Sequence, residues 1–512
     1  MNAITRPTSA AQAPAGRGPF AFLARDFTAS IVVFLVAMPL CMGIAVASGV
    51  SPEKGLVTGI IGGLIVGLFA GSPLQVSGPA AGLAVIVFDF VNTHGLAALG
   101  PVLILAGVIQ LAAGALRMGG LFRSISPAVV HGMLAGIGAL IVIGQFHTLF
   151  DAKPMSSGPD NLAAMPARLL GLSPWNLQAA ELALFIGLVT IGTMIAWDRF
   201  KPQRLKLVPG ALLGVLAATL IAWGFGLDIA RVAVPESLAA AIELPGDGFL
   251  GTLMDPAMIV AAIAIAFIAS AETLLSAAAV DRMHDGVRTD YNKELRAQGV
   301  GNFLCGAAGA LPMTGVIVRS SANVQAGAKT RTSAVLHGVW ILGFVALLPW
   351  LLREIPMAAL GGVLVVTGWK LVSLQHVRHL FTQHGYLPAA IWVVTFVLVV
   401  STDLLTGVLA GIAMSLLELV PHRRQLKLDV DERHEDTHSH IGLAGVASFL
   451  HLTRLLETLE KLPAGRKVHL DLGSLKALDH TASETLSDWL NRRRGAGDDI
   501  SVTDPGRVLK SA

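Results

Sequence analysis

Residues 255–280, DPAMIVAAIAIAFIASAETLLSAAAV, make an apolar run long enough to cross a bilayer, and one interior charge interrupts it, Glu272. A carboxylate inside a spanning segment is costly, so it is expected to face protein or water and to serve a function. Ser276 lies four residues on and shares its helical face. Residues 311–321, LPMTGVIVRSS, follow after a polar stretch and break at Pro312 and Gly315. The apolar part beyond that break runs only about ten residues, too few to span as a helix, and it carries Arg319. Short, interrupted segments that carry charge are the pattern expected of a transport site near the membrane midplane.

Composition agrees with a membrane chain. Of 512 residues, 54% are hydrophobic and 14% charged, and the mean hydropathy is +0.67, which describes a polytopic α-helical membrane protein. The net charge of +3 is mild and sits in membrane-flanking loops, so nucleic acid is not an expected partner. Cys41 and Cys305 both lie in apolar segments and suggest no disulfide framework. Residues 1–20 are rich in Ala, Pro and Gly, without a signal-peptide core, and are expected to be a disordered cytoplasmic tail.

Fourteen apolar segments follow, near 27–48, 56–70, 79–91, 96–116, 128–150, 182–197, 207–225, 258–280, 295–308, 316–326, 333–352, 358–371, 387–400 and 404–420. An even count puts both ends of this region on one side, and loop charges test that side. Arg117 and Arg123, Arg199 to Lys206, Arg282 to Arg296, Lys329 and Arg331, and Lys370 and Arg378 all fall on the side of the termini. Asp228, Glu236, Glu243 and Asp247 fall opposite. Both termini are therefore expected in the cytoplasm, with the chain in the inner (plasma) membrane. The halves also echo each other: residues 72–82 lead into a short helix as residues 311–318 do, and Ser126-Pro127 resembles Ile355-Pro356. Seven spans per half, an odd number, make the repeats (about 26–227 and 255–421) inverted. After the transmembrane region, 21–421, residues 422–440 read as a charged, His-rich linker. Residues 441–512 read as a small α/β domain of alternating strands and helices.

These residues resemble the SulP (sulfate permease) anion transporter family with its C-terminal STAS domain. The resemblance rests on Gln75-Val76-Ser77-Gly78-Pro79, on Tyr291-Asn292-Lys293-Glu294-Leu295 continuing to Asn302, and on Arg319-Ser320 followed by Gly327-Ala328-Lys329-Thr330. It implies the seven-plus-seven fold with a core and a gate domain, usual dimers, an elevator-like mechanism, and ion coupling at the position of Glu272. Residues 470–482 look like the strand-loop-helix that carries regulatory phosphorylation in related soluble proteins, with Thr481 in the regulatory place and a cytoplasmic protein as partner. The chain departs from the family at Leu40, where many members carry Gln, and at Ala80, where some bicarbonate transporters carry a hydroxyl residue.

The chemistry can be weighed residue by residue. Half-helix starts at Ser77, Gly78, Ala80 and Ala81, and at Thr314, Gly315, Val316 and Ile317, would aim unpaired N–H groups and positive dipole ends at one anion. The plainer alternative is glycine-mediated packing; two paired breaks favour a substrate site. Glu272 would carry a proton, or ligate sodium together with Ser276 and backbone oxygens; its plainer role is a structural hydrogen bond or ion pair between helices. Arg319 either adds positive potential for the anion or forms a salt bridge, with Glu272 as the obvious partner. His131 is expected to pack between helices rather than to relay protons. The histidines at 422, 434, 438 and 440 show no metal spacing, and Thr481 is expected to cap a helix after Asp479. No cofactor and no enzyme chemistry are expected. The leading expectation is a symporter of bicarbonate, sulfate or a dicarboxylate with H⁺ or Na⁺. The rivals are an uncoupled channel or exchanger, a nucleobase symporter on the same fold, and a membrane-anchored scaffold built around the STAS domain.

Overall fold

The computed structural model describes residues 22–120, 126–155, 157–170, 177–205, 207–233, 241–244, 246, 248–284, 286–372, 386–417, 427–434, 438–448, 451–460, 462, 467–495 and 497–503. Seven helices make the first half: α1 (Leu23–Ala47), α2 (Pro52–Phe69), α3 (Ala81–His94), α4 (Leu96–Ala115), α5 (Pro127–Leu149), α6 (Leu177–Phe200) and α7 (Gly210–Gly224). Seven more follow: α8 (Pro256–Asp281), α9 (Tyr291–Ala307), α10 (Ile317–Gln325), α11 (Thr332–Leu347), α12 (Met357–Leu371), α13 (Tyr386–Ser401) and α14 (Leu404–Leu417). These are the fourteen expected segments, with ends shifted by a few residues. An amphipathic helix at Gly158–Leu169 was not expected.

Local chemistry sets the starts of the helices around the interior. Pro256 opens α8, where its missing N–H costs nothing, and Asp255 caps it by accepting from Ala257 N at 2.8 Å. Asp290 caps α9 through Lys293 N at 2.9 Å. Large apolar side chains stay exposed along one stripe of several helices, including Phe185, Leu188 and Ile195 on α6 and Leu216, Leu220 and Trp223 on α7. On a water-facing surface such stripes would be a liability; on this fold they meet lipid.

The half-helices α3 and α10 each follow a three-residue strand, β1 (Ser77–Pro79) and β2 (Met313–Gly315). The strands pair antiparallel, Ser77 with Gly315, Gly78 with Thr314 and Pro79 with Met313. The order long helix, second helix, strand, half-helix therefore occurs twice, as α1–α2–β1–α3 and α8–α9–β2–α10, which is the inverted repeat.

Polar residues four apart on α9 hold this ladder. Glu294 accepts from Ser72 N and from Gln298 Nε2, each at 2.9 Å, and Gln298 Nε2 also donates to Ser77 Oγ at 2.7 Å. Asn302 exchanges two bonds with Met313, accepting its N–H at 2.7 Å and donating to its carbonyl at 3.1 Å. The motif Tyr291–Asn302 thus grips both strands from one helix face.

Two helical bundles result. In one, α1–α4 pack with α8–α11; in the other, α5–α7 pack with α12–α14. The seam between them is made where α1 and α3 meet α5, α7 and α12.

Among the described residues the C-terminal unit is a five-stranded sheet with two helices. Strands β3 (Leu428–His434), β4 (His438–Ala447), β5 (Lys467–Asp471) and β7 (Ile500–Thr503) lie in that order, and β6 (Leu475–Leu478) pairs with β4. The segment 422–440 is thus not all linker: residues 428–434 form β3, antiparallel to β4. Helices α15 (Leu452–Glu460) and α16 (His480–Gly495) cover an apolar core that encloses Leu455, Leu470, Leu486 and Trp489. Trp489 is 1% exposed, so Trp489→Ala should cost about 3–5 kcal/mol. Calorimetry of the full chain should show the unfolding of this unit shifted down, with the melting of the membrane region unchanged.

Candidate functional site

A cavity of about 200 Å³ lies along the seam. Its deep end is formed by Ala81 and Gly82 at the start of α3 and by Val316 to Arg319 at the start of α10. Leu40 and Ile44 of α1 flank that end, and α8 contributes Glu272, Leu275 and Ser276. The opposite wall is α5 and α12, from Met133 to Ile141 and from Leu364 to Leu371. The cavity leads towards Arg282, just past α8, Pro127 at the start of α5 and Leu371 at the end of α12. These are the helix ends that carry basic loops. Across the seam a pocket of about 30 Å³ lies among Ala84, Phe88, Gly144, Gln145 and Asn161, and Ile141 borders both spaces.

Neither half-helix has a side-chain cap: the N-cap positions are Ala80 and Val316. The first-turn N–H groups are left for whatever occupies the deep end. Two of them are used: Gly82 N–H donates to the Glu272 carboxyl, and Leu83 N–H donates to the Ala80 carbonyl at 3.2 Å. Glu272 is half-buried, and its Oε2 is shielded without a hydrogen-bond partner. Thr273, the next residue, ties this carboxyl to both strands. Its carbonyl accepts from Gln75 Nε2 at 2.9 Å and its Oγ1 accepts from Gly315 N at 3.1 Å.

Arg319 is fully buried, and none of its three guanidinium nitrogens has an oxygen or nitrogen acceptor. Its neighbour is the thiol of Cys41, a weak partner. The salt bridge considered between Arg319 and Glu272 is not formed. The turn from β1 into α3 stands between them instead: a Cβ on Gly78 would collide with Arg319 Nη1, and one on Gly82 would come 2.7 Å from Glu272 Oε2. Gly82→Ala should therefore displace the carboxyl and its N–H donor. The hydrogen bond lost, worth about 1–3 kcal/mol, should lower the midpoint of thermal denaturation measured in detergent.

Of the residues expected to bind substrate, the structure brings Ala81, Val316, Ile317 and Arg319 to the cavity wall, together with Glu272 and Ser276. Ser77, Gly78, Ala80, Thr314 and Gly315 do not line it. They form the buried β-ladder and the cap behind it, so their work is support rather than contact. Ser77 is taken up by Gln298. His131, expected to be a packing residue, lines the cavity, as do Arg282 and Thr367. At the C-terminal unit Asp479 caps α16, accepting from Ala482 N at 2.7 Å. The cap expected of Thr481 thus falls to Asp479, and the Thr481 side chain lies outside the described residues.

Paired half-helices over a charged cavity, within a seven-plus-seven inverted repeat, define a multi-pass membrane transporter. Residues 23–395 match the model of the Sulfate permease family, and the chain belongs to that family. It is accordingly an anion transporter and not an enzyme. Among its relatives is the putative sulfate transporter YvdB of Bacillus subtilis (strain 168), 29% identical over 487 residues, covering 91% of this chain and 89% of that protein. The bicarbonate transporter BicA of Picosynechococcus sp. is 26% identical over 435 residues, covering 82% of this chain and 74% of its own. In fold the chain is similar to the transmembrane domain of a cyanobacterium bicarbonate transporter BicA, with TM-score 0.66 and 24% identity, over 77% of this chain and 98% of that one. It is also similar to SLC26A9, with TM-score 0.68 and 16% identity, over 96% and 86% of the two chains.

Proposed function

We propose that the protein is a proton-coupled symporter of a small anion, of the bicarbonate, sulfate or carboxylate class, in the inner membrane with both termini cytoplasmic. The observation that carries the reading is Arg319, a buried guanidinium without an acidic partner at the point where two uncapped half-helices meet a cavity. A guanidinium keeps its charge inside proteins, and leaving it unanswered is costly. An anion held by Arg319 and the first-turn N–H groups answers it.

Glu272 is the coupling group. It faces the same cavity and carries a shielded oxygen that a proton would satisfy. A hard cation needs several oxygen ligands, whereas the groups beside Glu272 on the wall are Gly82, Leu275 and the one hydroxyl of Ser276. That favours H⁺ over Na⁺. Alternating access would follow from movement of the α1–α4/α8–α11 bundle along the seam, with Ile141 closing the far side in the present state. The C-terminal unit, similar in outline to a STAS domain, would stand in the cytoplasm as a site for a protein partner.

Uptake of labelled bicarbonate, sulfate and fumarate into proteoliposomes tests this reading, first under a proton gradient and then under a sodium gradient. Accumulation driven by the proton gradient is the expected result. Equal flux with either gradient or with none would make the protein a passive pathway and overturn the coupling.

A further inference from the structure

Resting on the reading of Arg319 as the anion's partner, we infer that Cys41 is a positioning residue that sets how tightly the anion is held, because its thiol backs the guanidinium without neutralising it. A buried guanidinium is costly while the carrier stands empty. Whatever partner it then has must be displaced by the arriving anion, so the strength of that partner is subtracted from the anion's affinity.

The β-ladder shows where the guanidinium lies. A Cβ on Gly78 would fall on Arg319 Nη1, so the charged head sits over the face of β1 that Gly78 presents. Thr314 is paired with Gly78, and paired residues of an antiparallel ladder project to the same face. Its Oγ1 is buried there without a partner. Helix α1 packs on both β1 and α10, and fully buried Cys41 is its group beside the guanidinium. Helix α2 fixes the thiol in place. A Cβ on Gly55 would strike the Cys41 carbonyl oxygen, and one on Gly59 would come 2.8 Å from Sγ. Glycines four apart thus let the two backbones close on this one turn of α1.

Every acceptor on this side is weak or unbonded. A thiol accepts poorly. Thr314 Oγ1 makes no bond to Arg319, and neither does His337 of α11, whose Nδ1 is taken by the Ala334 carbonyl. A carboxylate in the place of Cys41 would close a salt bridge with Arg319 and leave little for an anion. An aliphatic chain would leave the charge with no partner at all. The thiol lies between these limits, and concedes the guanidinium to any true anion. Cys41 needs no contact with substrate for this: Leu40 lines the cavity, Cys41 does not, and its influence passes through Arg319.

The test is a thermal double-mutant cycle on the full chain in detergent, with gluconate as the bulk anion. It is run beside uptake of labelled bicarbonate, sulfate and fumarate into proteoliposomes. Cys41→Asp should raise the unfolding midpoint when Arg319 is present and lower it in the Arg319→Met background, where the new carboxylate is buried alone. A packing role for Cys41 would shift both backgrounds alike. In uptake, Cys41→Asp should raise KM by about 100-fold or more, the scale of one buried charge pair. Cys41→Ser, a better acceptor in nearly the same volume, should raise it by about three- to tenfold, the scale of one hydrogen bond, with the maximal rate changing less than KM. Midpoint shifts of one sign in both backgrounds, or a wild-type KM in Cys41→Ser, overturn the inference; if Arg319→Met still loses uptake, the anion site stands without it. If Arg319→Met takes up anion as wild type does, the anion site itself is wrong and both fall.

Discussion

Glu272→Gln is expected to abolish accumulation of the anion against its gradient while leaving exchange of anion for anion intact. Glutamine reproduces the size and hydrogen-bonding edge of a neutral carboxyl, so the Gly82 N–H keeps its acceptor and the bundle can still move with anion aboard. What is lost is the exchangeable proton. One proton per anion lets a gradient of one pH unit sustain about tenfold accumulation, each decade being about 1.4 kcal/mol; in the variant the ratio should fall to one. Wild-type uptake should quicken as the outside is made acidic, and the variant's rate should be flat with pH. Counterflow of labelled against unlabelled anion checks that the protein is still folded and mobile. Accumulation that survives the substitution would make Glu272 a structural hydrogen-bond acceptor and remove the mechanism.

Arg319→Met should move function and stability in opposite directions. Truncating one partner of a buried, hydrogen-bonded charge pair typically costs 2–5 kcal/mol or more, so anion uptake should drop by about 100-fold or more. The empty protein, however, now buries an unanswered charge, and replacing such a charge by an apolar chain of similar volume is often neutral or stabilising. Thermal denaturation in detergent without substrate anion should accordingly show the midpoint unchanged or raised. The stabilisation that wild type gains on adding anion should vanish. Arg319→Lys should recover part of the uptake, since an ammonium supplies charge without the planar fork. A variant that loses stability along with uptake would mean that Arg319 holds the fold rather than the substrate.

Much of the membrane region is legible in the sequence because lipid imposes a simple rule. Hydrophobic length and loop charge located fourteen helices, and the breaks at Pro79 and at Pro312 to Gly315 located the half-helices. Glu272 and Arg319 were legible for the same reason, as charges where charge is expensive. The division of labour around them was not. Ser77, Gly78, Thr314 and Gly315 have the small, turn-permitting character of a binding loop, and a ladder of three residues is too short to leave a period. Only the pairing with the other half of the chain turns them into support, and pairing is a long-range fact. Leu428–His434 escaped for a different reason: its charged residues hid two inward apolar positions, Leu428 and Val430, so an edge strand looked like a linker. Arg282 served to set topology, and its place at the mouth of the cavity depends on how α8 ends against α5 and α12.

The ladder between β1 and β2 has a thermodynamic meaning beyond holding two helix ends in line. Ser77 to Pro79 are bonded to Met313 to Gly315, and both strands are bonded to α9, so the two half-helix starts belong to one rigid assembly. In the proposed movement that assembly would present the same half-helix ends at each membrane face, and only the α5 and α12 wall would differ. Its dissociation constant should therefore be the same from either compartment, and net direction should follow from concentrations and gradients alone. The carrier would have no built-in rectification, and would run backwards as readily as forwards when the gradients are reversed.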